Sequence, residues 1–88
     1  GMILSNEPGY YKKGHYGIRI ENLIYAKKLK NRLFFENLTF APIENDLINY
    51  KLLDRTERDY LFRYHLNIYS KYSSSLNKKE RKWLASLI

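Results

Sequence analysis

Two acids stand on either side of a turn. Glu7 lies in Asn6-Glu7-Pro8-Gly9-Tyr10-Tyr11, and Glu21 lies in Gly17-Ile18-Arg19-Ile20-Glu21-Asn22. The residue before a proline is pushed out of the helical region, so Glu7 is expected to be extended at a strand end. Gly9, Gly14 and Gly17 punctuate the connection and suit a loop or hairpin. Ile18, Ile20 and then Leu23-Ile24-Tyr25 read as a strand in which Arg19 and Glu21 share one face and Ile18 and Ile20 the other. A closed hairpin brings Glu7 beside Glu21, with Arg19 next to them. Two ionised carboxylates that close repel and share a proton unless a cation lies between them. A hard divalent metal ion is one such cation, and an arginine is another. The alternative is an edge hairpin whose glutamates are only solvated, the commoner fate of strand carboxylates.

The elements that must position these groups are legible along the chain. Met2-Ile3-Leu4 is a short apolar strand leading to Glu7. After the second motif, Lys27-Lys28-Leu29-Lys30-Asn31-Arg32 reads as a basic polar turn. Leu33 to Pro42 then reads as a third strand, with Phe34, Leu38 and Phe40 on one face and Leu33, Phe35 and Thr39 on the other. Both faces carry large apolar groups, so this strand expects cover on both sides, or association with another copy of the chain. From Glu44 the pattern changes to a loop through Leu53. Asp54-Arg55-Thr56-Glu57 has the form of a capping box. Leu61, Tyr64, Ile68 and Tyr72 follow at helical spacing, with Tyr60 and Tyr69 widening the stripe. Ser73-Ser74-Ser75 ends that helix. Asn77 with Glu80 caps a second one, whose Trp83, Leu84, Leu87 and Ile88 cover one side. The predicted class is α+β: an antiparallel sheet of three strands followed by two or three C-terminal helices.

Composition narrows the function classes. A hydrophobic content of 44% with nine tyrosines argues against disorder. No apolar run approaches the roughly 20 residues of a membrane span, and there is no signal-peptide pattern. Without cysteine there are no disulfides and no thiolate metal sites, which fits a reducing cytoplasm. The net charge of +7 admits an anionic partner such as nucleic acid. The aromatic residues follow the core period rather than forming stacking platforms, so no specific nucleic-acid role is expected. His15 falls in the glycine-rich turn, where it could lend a nitrogen to the acids. His65 falls on the long helix, where a packed, hydrogen-bonded histidine is the expected state.

Leu4-Ser5-Asn6-Glu7-Pro8-Gly9-Tyr10-Tyr11 and Gly17-Ile18-Arg19-Ile20-Glu21-Asn22 resemble the end of the catalytic domain of Xaa-Pro aminopeptidases, the aminopeptidase P branch of the pita-bread dinuclear metallopeptidases. Phe35 to Ile43 is similar to that family's last strand, and Leu53 to His65 and Trp83-Leu84 are similar to its C-terminal helices. The resemblance implies a boundary, with residues 1–43 ending the catalytic domain and residues 44–88 forming a helical extension. It also implies roles. Glu7 and Glu21 match two of five metal ligands, the others being two aspartates and a histidine from upstream sequence that these residues do not contain. By family analogy Glu7 also handles the proton of a bridging water. Arg19 matches an arginine that orients a metal-bound carboxylate from outside the ligand set, and Tyr11 matches a tyrosine near the site.

By this resemblance the parent enzyme removes the N-terminal residue of peptides with proline second, using two divalent ions, Mn²⁺ first, with Co²⁺ or Zn²⁺ as alternatives. A hard-cation site draws on about six ligands. Two carboxylates on one hairpin are therefore expected neither to hold metal tightly nor to sustain turnover until the upstream part is present. The competing expectation is an independently encoded structural or interaction module, a relic of a split gene without peptidase activity. No membrane partner is expected, and homo-oligomers are.

Overall fold

Glycine, proline and the period-two pattern of the first half produce the expected three-stranded antiparallel sheet and, beyond it, a second sheet of two strands. The computed structural model describes all 88 residues, in two compact units, Gly1–Thr39 and Phe40–Ile88. In the first unit β1 (Ile3–Asn6), β4 (Asn22–Leu29) and β5 (Arg32–Asn37) form an antiparallel sheet in the order β1-β4-β5. The strands β2 (Gly9–Lys12) and β3 (Tyr16–Arg19) form a second, two-stranded sheet. The expected single strand from Ile18 to Tyr25 is thus divided at Ile20-Glu21.

The division has a simple cause. Asn6 faces Asn22 at the end of one ladder and Gly9 faces Arg19 at the start of the next. Two residues on each strand lie between, so the register runs on without a bulge and sets Pro8 opposite Ile20 and Glu7 opposite Glu21. The Ile20 N–H donates to the Pro8 carbonyl at 3.1 Å. The reciprocal bond cannot form because proline has no N–H, and the ladder is interrupted there.

Other boundaries also move. β4 continues through the lysines to Leu29, and the turn is only Lys30-Asn31, both at positive φ (48° and 64°). That is the backbone of a tight two-residue hairpin, which asparagine tolerates. The β2–β3 turn closes through a bond from the His15 N–H to the Lys12 carbonyl, with Gly14 at φ 77°. β5 ends at Asn37, not at Pro42; beyond it the Leu38 N–H still donates to the Leu23 carbonyl. The cover expected for β5 is lacking on the face of Leu33 and Phe35, which are 77% and 61% exposed, while Phe34 on the other face is partly covered.

In the second unit two single-turn 3₁₀ segments, Asn45–Leu47 and Tyr50–Leu52, precede α1 (Arg55–Tyr72). A third, Ser73–Ser75, links α1 to α2 (Lys78–Ser86). Both capping boxes are present, Asp54 with Glu57 and Asn77 with Glu80. Each such cap contributes about 1 kcal/mol. The buried stripe of α1 is Leu61, Tyr64, His65 and Ile68, the i, i+3, i+4, i+7 pattern of one helix face. Tyr60, expected to widen it, lies about 100° away around the helix and is exposed. Tyr64, Ile68 and Leu84 form the core, with Phe40, Ile43, Tyr69 and Leu76 packed around them. Trp83, expected beside Leu84, points outward and is 63% exposed.

Candidate metal-ligand hairpin

Alternation along β1–β2 places Ser5, Glu7, Gly9 and Tyr11 on one face, and alternation along β3–β4 places Gly17, Arg19, Glu21 and Leu23 on the same face. On that face the structure joins four polar groups. The Ser5 hydroxyl donates to Glu7 Oε2 at 2.8 Å. Arg19 Nη1 donates to Glu7 Oε1 at 3.3 Å, an ion pair in partial contact with solvent. The Nε–H of Arg19 donates to the Tyr11 hydroxyl oxygen at 2.6 Å, and the guanidinium carbon lies 5.5 Å from the centre of the Tyr11 ring.

The electrostatics follow from these contacts. The Ser5 hydroxyl bond first, and then the Arg19 charge and bond, hold the Glu7 carboxyl below the usual carboxylate range, against an opposing effect of desolvation. The Tyr11 hydroxyl first, and then Glu7, hold the Arg19 guanidinium above its usual value. By register Glu7 and Glu21 face one another across the hairpin. Like charges directly opposite in a sheet are destabilising, and Arg19 offsets one of the two.

Glu7, Glu21, Arg19 and Tyr11 are thus gathered on one surface, and His15 is not. It sits at the tip of the β2–β3 turn, on the order of 20 Å from Glu7 at the rise of a strand, so it cannot lend a nitrogen there. His65 is buried on α1, where its Nε2 accepts the Ile43 N–H at 3.1 Å. Its ring lies 5.6 Å from that of Tyr64, and burial lowers its pKa. Ser5 was not singled out by sequence; the available signal was its place two residues before Glu7, on the same strand face. A second carboxylate cluster also lacked a sequence signal: the Tyr25 hydroxyl donates to Glu36, and Lys27 pairs with the same carboxylate at 3.4 Å.

The donor set bears on what could be held here. Two opposed carboxylates supply only oxygen donors, which suits a hard divalent cation. No group of three or more His, Asp or Glu residues gathers that could hold a metal ion by itself. The hairpin fits such an ion as part of a ligand set and does not complete one.

Residues 31–87 match the family described as the C-terminal region of peptidase_M24. The chain is 40% identical to the probable Xaa-Pro aminopeptidase P of Coprinopsis cinerea, over 96% of its own length and 15% of that protein's. It is 43% identical to aminopeptidase P2 of Arabidopsis thaliana, over 96% of its length and 13% of the relative's. Among solved structures it superposes on the X-prolyl aminopeptidase of Caenorhabditis elegans, described as a cytosolic enzyme with a di-nuclear active site. That match has a TM-score of 0.80 at 33% identity and covers 97% of this chain and 15% of the other. The chain therefore spans about one seventh of the length of the relatives it matches. It belongs to the peptidase M24 family, as the C-terminal region of the Xaa-Pro aminopeptidase branch.

Proposed function

We propose that these 88 residues supply Glu7 and Glu21 to a dinuclear metal site in a cytoplasmic Xaa-Pro aminopeptidase that releases the N-terminal residue preceding proline. Residues 1–43 end the catalytic domain in this reading, and residues 44–88 form a helical extension. The observation that carries it is the facing of Glu7 and Glu21 across one register, with Arg19 bound to Glu7, in a chain whose relatives are named as aminopeptidases P. When bound, two divalent ions, Mn²⁺ by preference, supply Lewis acidity and the positive charge that offsets the two acids.

This chain's residues have separable tasks. A proton competes with a metal ion for a carboxylate, and Ser5 and Arg19 keep Glu7 ionised and ready to ligate. Each of those contacts occupies one lone pair of one oxygen, and a carboxylate offers about four acceptor sites. Arg19 fixes the orientation of Glu7, and Tyr11 fixes Arg19. Glu21 stands opposite and would supply further oxygen donors to the ions. The contacts that keep Glu7 ionised also make it a weaker base.

The remaining ligands, two aspartates and a histidine, come from polypeptide outside these residues, and the chain alone neither turns over substrate nor holds metal tightly. The test is to mix it, with Mn²⁺, with the upstream portion of an aminopeptidase P truncated before the Asn-Glu-Pro-Gly word. Cleavage of an Xaa-Pro peptide is expected from the mixture, from neither component alone, and not from mixtures carrying Glu7→Gln or Glu21→Gln. Turnover by the chain with no partner, or full activity with both substitutions, contradicts the proposal. The exposure of Leu33 and Phe35 favours one addition, association with a further polypeptide or a second copy along β5.

A further inference from the structure

Gly9 and Gly17 sit on the face that carries Glu7, one on each strand of the β2–β3 hairpin, and neither is there for its backbone. Of the glycines only Gly14 has a positive φ, so an L side chain is compatible with the conformation of the other two. The empty space above them is what the structure uses. A Cβ on Gly17 would lie 2.5 Å from Tyr11 Cδ1 and 2.9 Å from Cε1. A Cβ on Gly9 would lie 2.9 Å from both Tyr11 Cε2 and the Tyr11 hydroxyl oxygen. Contacts under 3.0 Å force a neighbour to shift, and here the neighbour is the exposed Tyr11 ring. One edge of the ring rests where a Gly17 side chain would be and the other where a Gly9 side chain would be.

Tyr11 is the register partner of Gly17, and Gly9 that of Arg19. The ring thus lies flat along the hairpin and delivers its hydroxyl to the Nε–H of Arg19 at 2.6 Å. Without that floor a tyrosine on an exposed strand stands roughly perpendicular to the sheet, which carries its hydroxyl away from the guanidinium. We infer that Gly9 and Gly17 are positioning residues: a two-glycine cradle that lays Tyr11 flat, so that Tyr11 fixes Arg19 and Arg19 fixes Glu7. The consequence for metal binding rests on the role of Glu7 proposed above; the cradle itself does not.

The two are separable by nuclear magnetic resonance on the 88-residue chain without added metal. In the unsubstituted chain the Hα protons of Gly9 and Gly17 should show the upfield shift of protons under an aromatic ring, and the Arg19 Nε–H should exchange slowly. Gly17→Ala should keep the cross-strand amide pattern, remove the upfield shift at Gly9, and speed Arg19 Nε–H exchange about tenfold, the scale of one hydrogen bond at a charged group. Gly9→Ala should do the same from the other strand, removing the shift at Gly17, and gives the answer if the first variant misfolds. In a Tyr11→Phe background, where the hydroxyl is already gone, Gly17→Ala should change Arg19 exchange no further. Retained shifts and slow exchange in folded Gly17→Ala and Gly9→Ala, or a further change in the Tyr11→Phe background, overturn the cradle. Either result leaves the reconstitution experiment free to succeed or fail on its own.

Discussion

At the scale of single residues, the ionisation of Glu7 is set by two neighbours that arrive by different routes. Ser5 comes from the same strand, two positions back, and Arg19 from across the hairpin. Ser5→Ala removes the largest single interaction that lowers the pKa of Glu7, so its carboxyl should titrate closer to the usual carboxylate range, read from its side-chain ¹³C resonance with metal chelated. An unchanged titration would mean that Arg19 alone holds Glu7 ionised. The meeting of Glu7, Glu21 and Arg19 was legible in the sequence because two short-range rules fix it, the extended conformation before proline and the parity of a strand. Ser5 and the cradle glycines were not. A serine hydroxyl becomes a partner only once the strand is extended, and a glycine's value as empty space depends on which ring comes to lie over it.

At the scale of elements, helices were read more faithfully than strands. A capping box is local, so Asp54 with Glu57 and Asn77 with Glu80 mark the helix starts wherever the rest of the chain goes. The interruption between β3 and β4 depends instead on Pro8, on the opposite strand, which no reading of Ile18 to Tyr25 taken alone reveals. The stripe of α1 was placed correctly at Leu61, Tyr64 and Ile68 but ran on to Tyr72, which is exposed, and His65 was expected to be packed and hydrogen-bonded without its backbone donor being identified. Here the donor is the Ile43 N–H, and Tyr50 and Arg58 line the same hollow beside the ring. Protonation would remove that acceptor and place a second cation near Arg58.

The direction of the pH effect follows. His65 is buried neutral and its pKa in the fold lies below its ordinary value, so the unfolded chain binds the extra proton first as pH falls. The stability of the helical unit is then fully present above pH of about 6.5 and is lost progressively below it. Thermal melts followed by helix signal should shift down between neutral pH and about pH 5, and His65→Gln, which retains an acceptor but does not titrate, should reduce that shift. An equal shift in the variant would assign the effect to other groups.

At the scale of the whole molecule, the burial pattern agrees with a chain that is a small part of its relatives. The core residues Leu61, Tyr64, Ile68 and Leu84 all lie within Phe40–Ile88, and Ile68 is 1% exposed. No residue of Gly1–Thr39 is buried, although the strands there carry Ile18, Ile24, Phe34 and Phe35. A sheet of three strands is near the smallest size with independent stability, and the apolar groups on both faces of β5 anticipated cover without saying what supplies it. The functional groups sit on this thin unit. The central claim is accordingly local: the hairpin presents Glu7 and Glu21 as one cation-binding pair. The most direct measurement is a titration of the ¹⁵N-labelled chain with Mn²⁺, followed by paramagnetic broadening of each amide. The amides of Glu7 and Glu21 should broaden together and before those around Glu44-Asp46 or Glu57-Asp59, and Glu7→Gln or Glu21→Gln should each abolish the preference. Broadening spread evenly over the acidic residues, or centred on Asp46, would contradict the account.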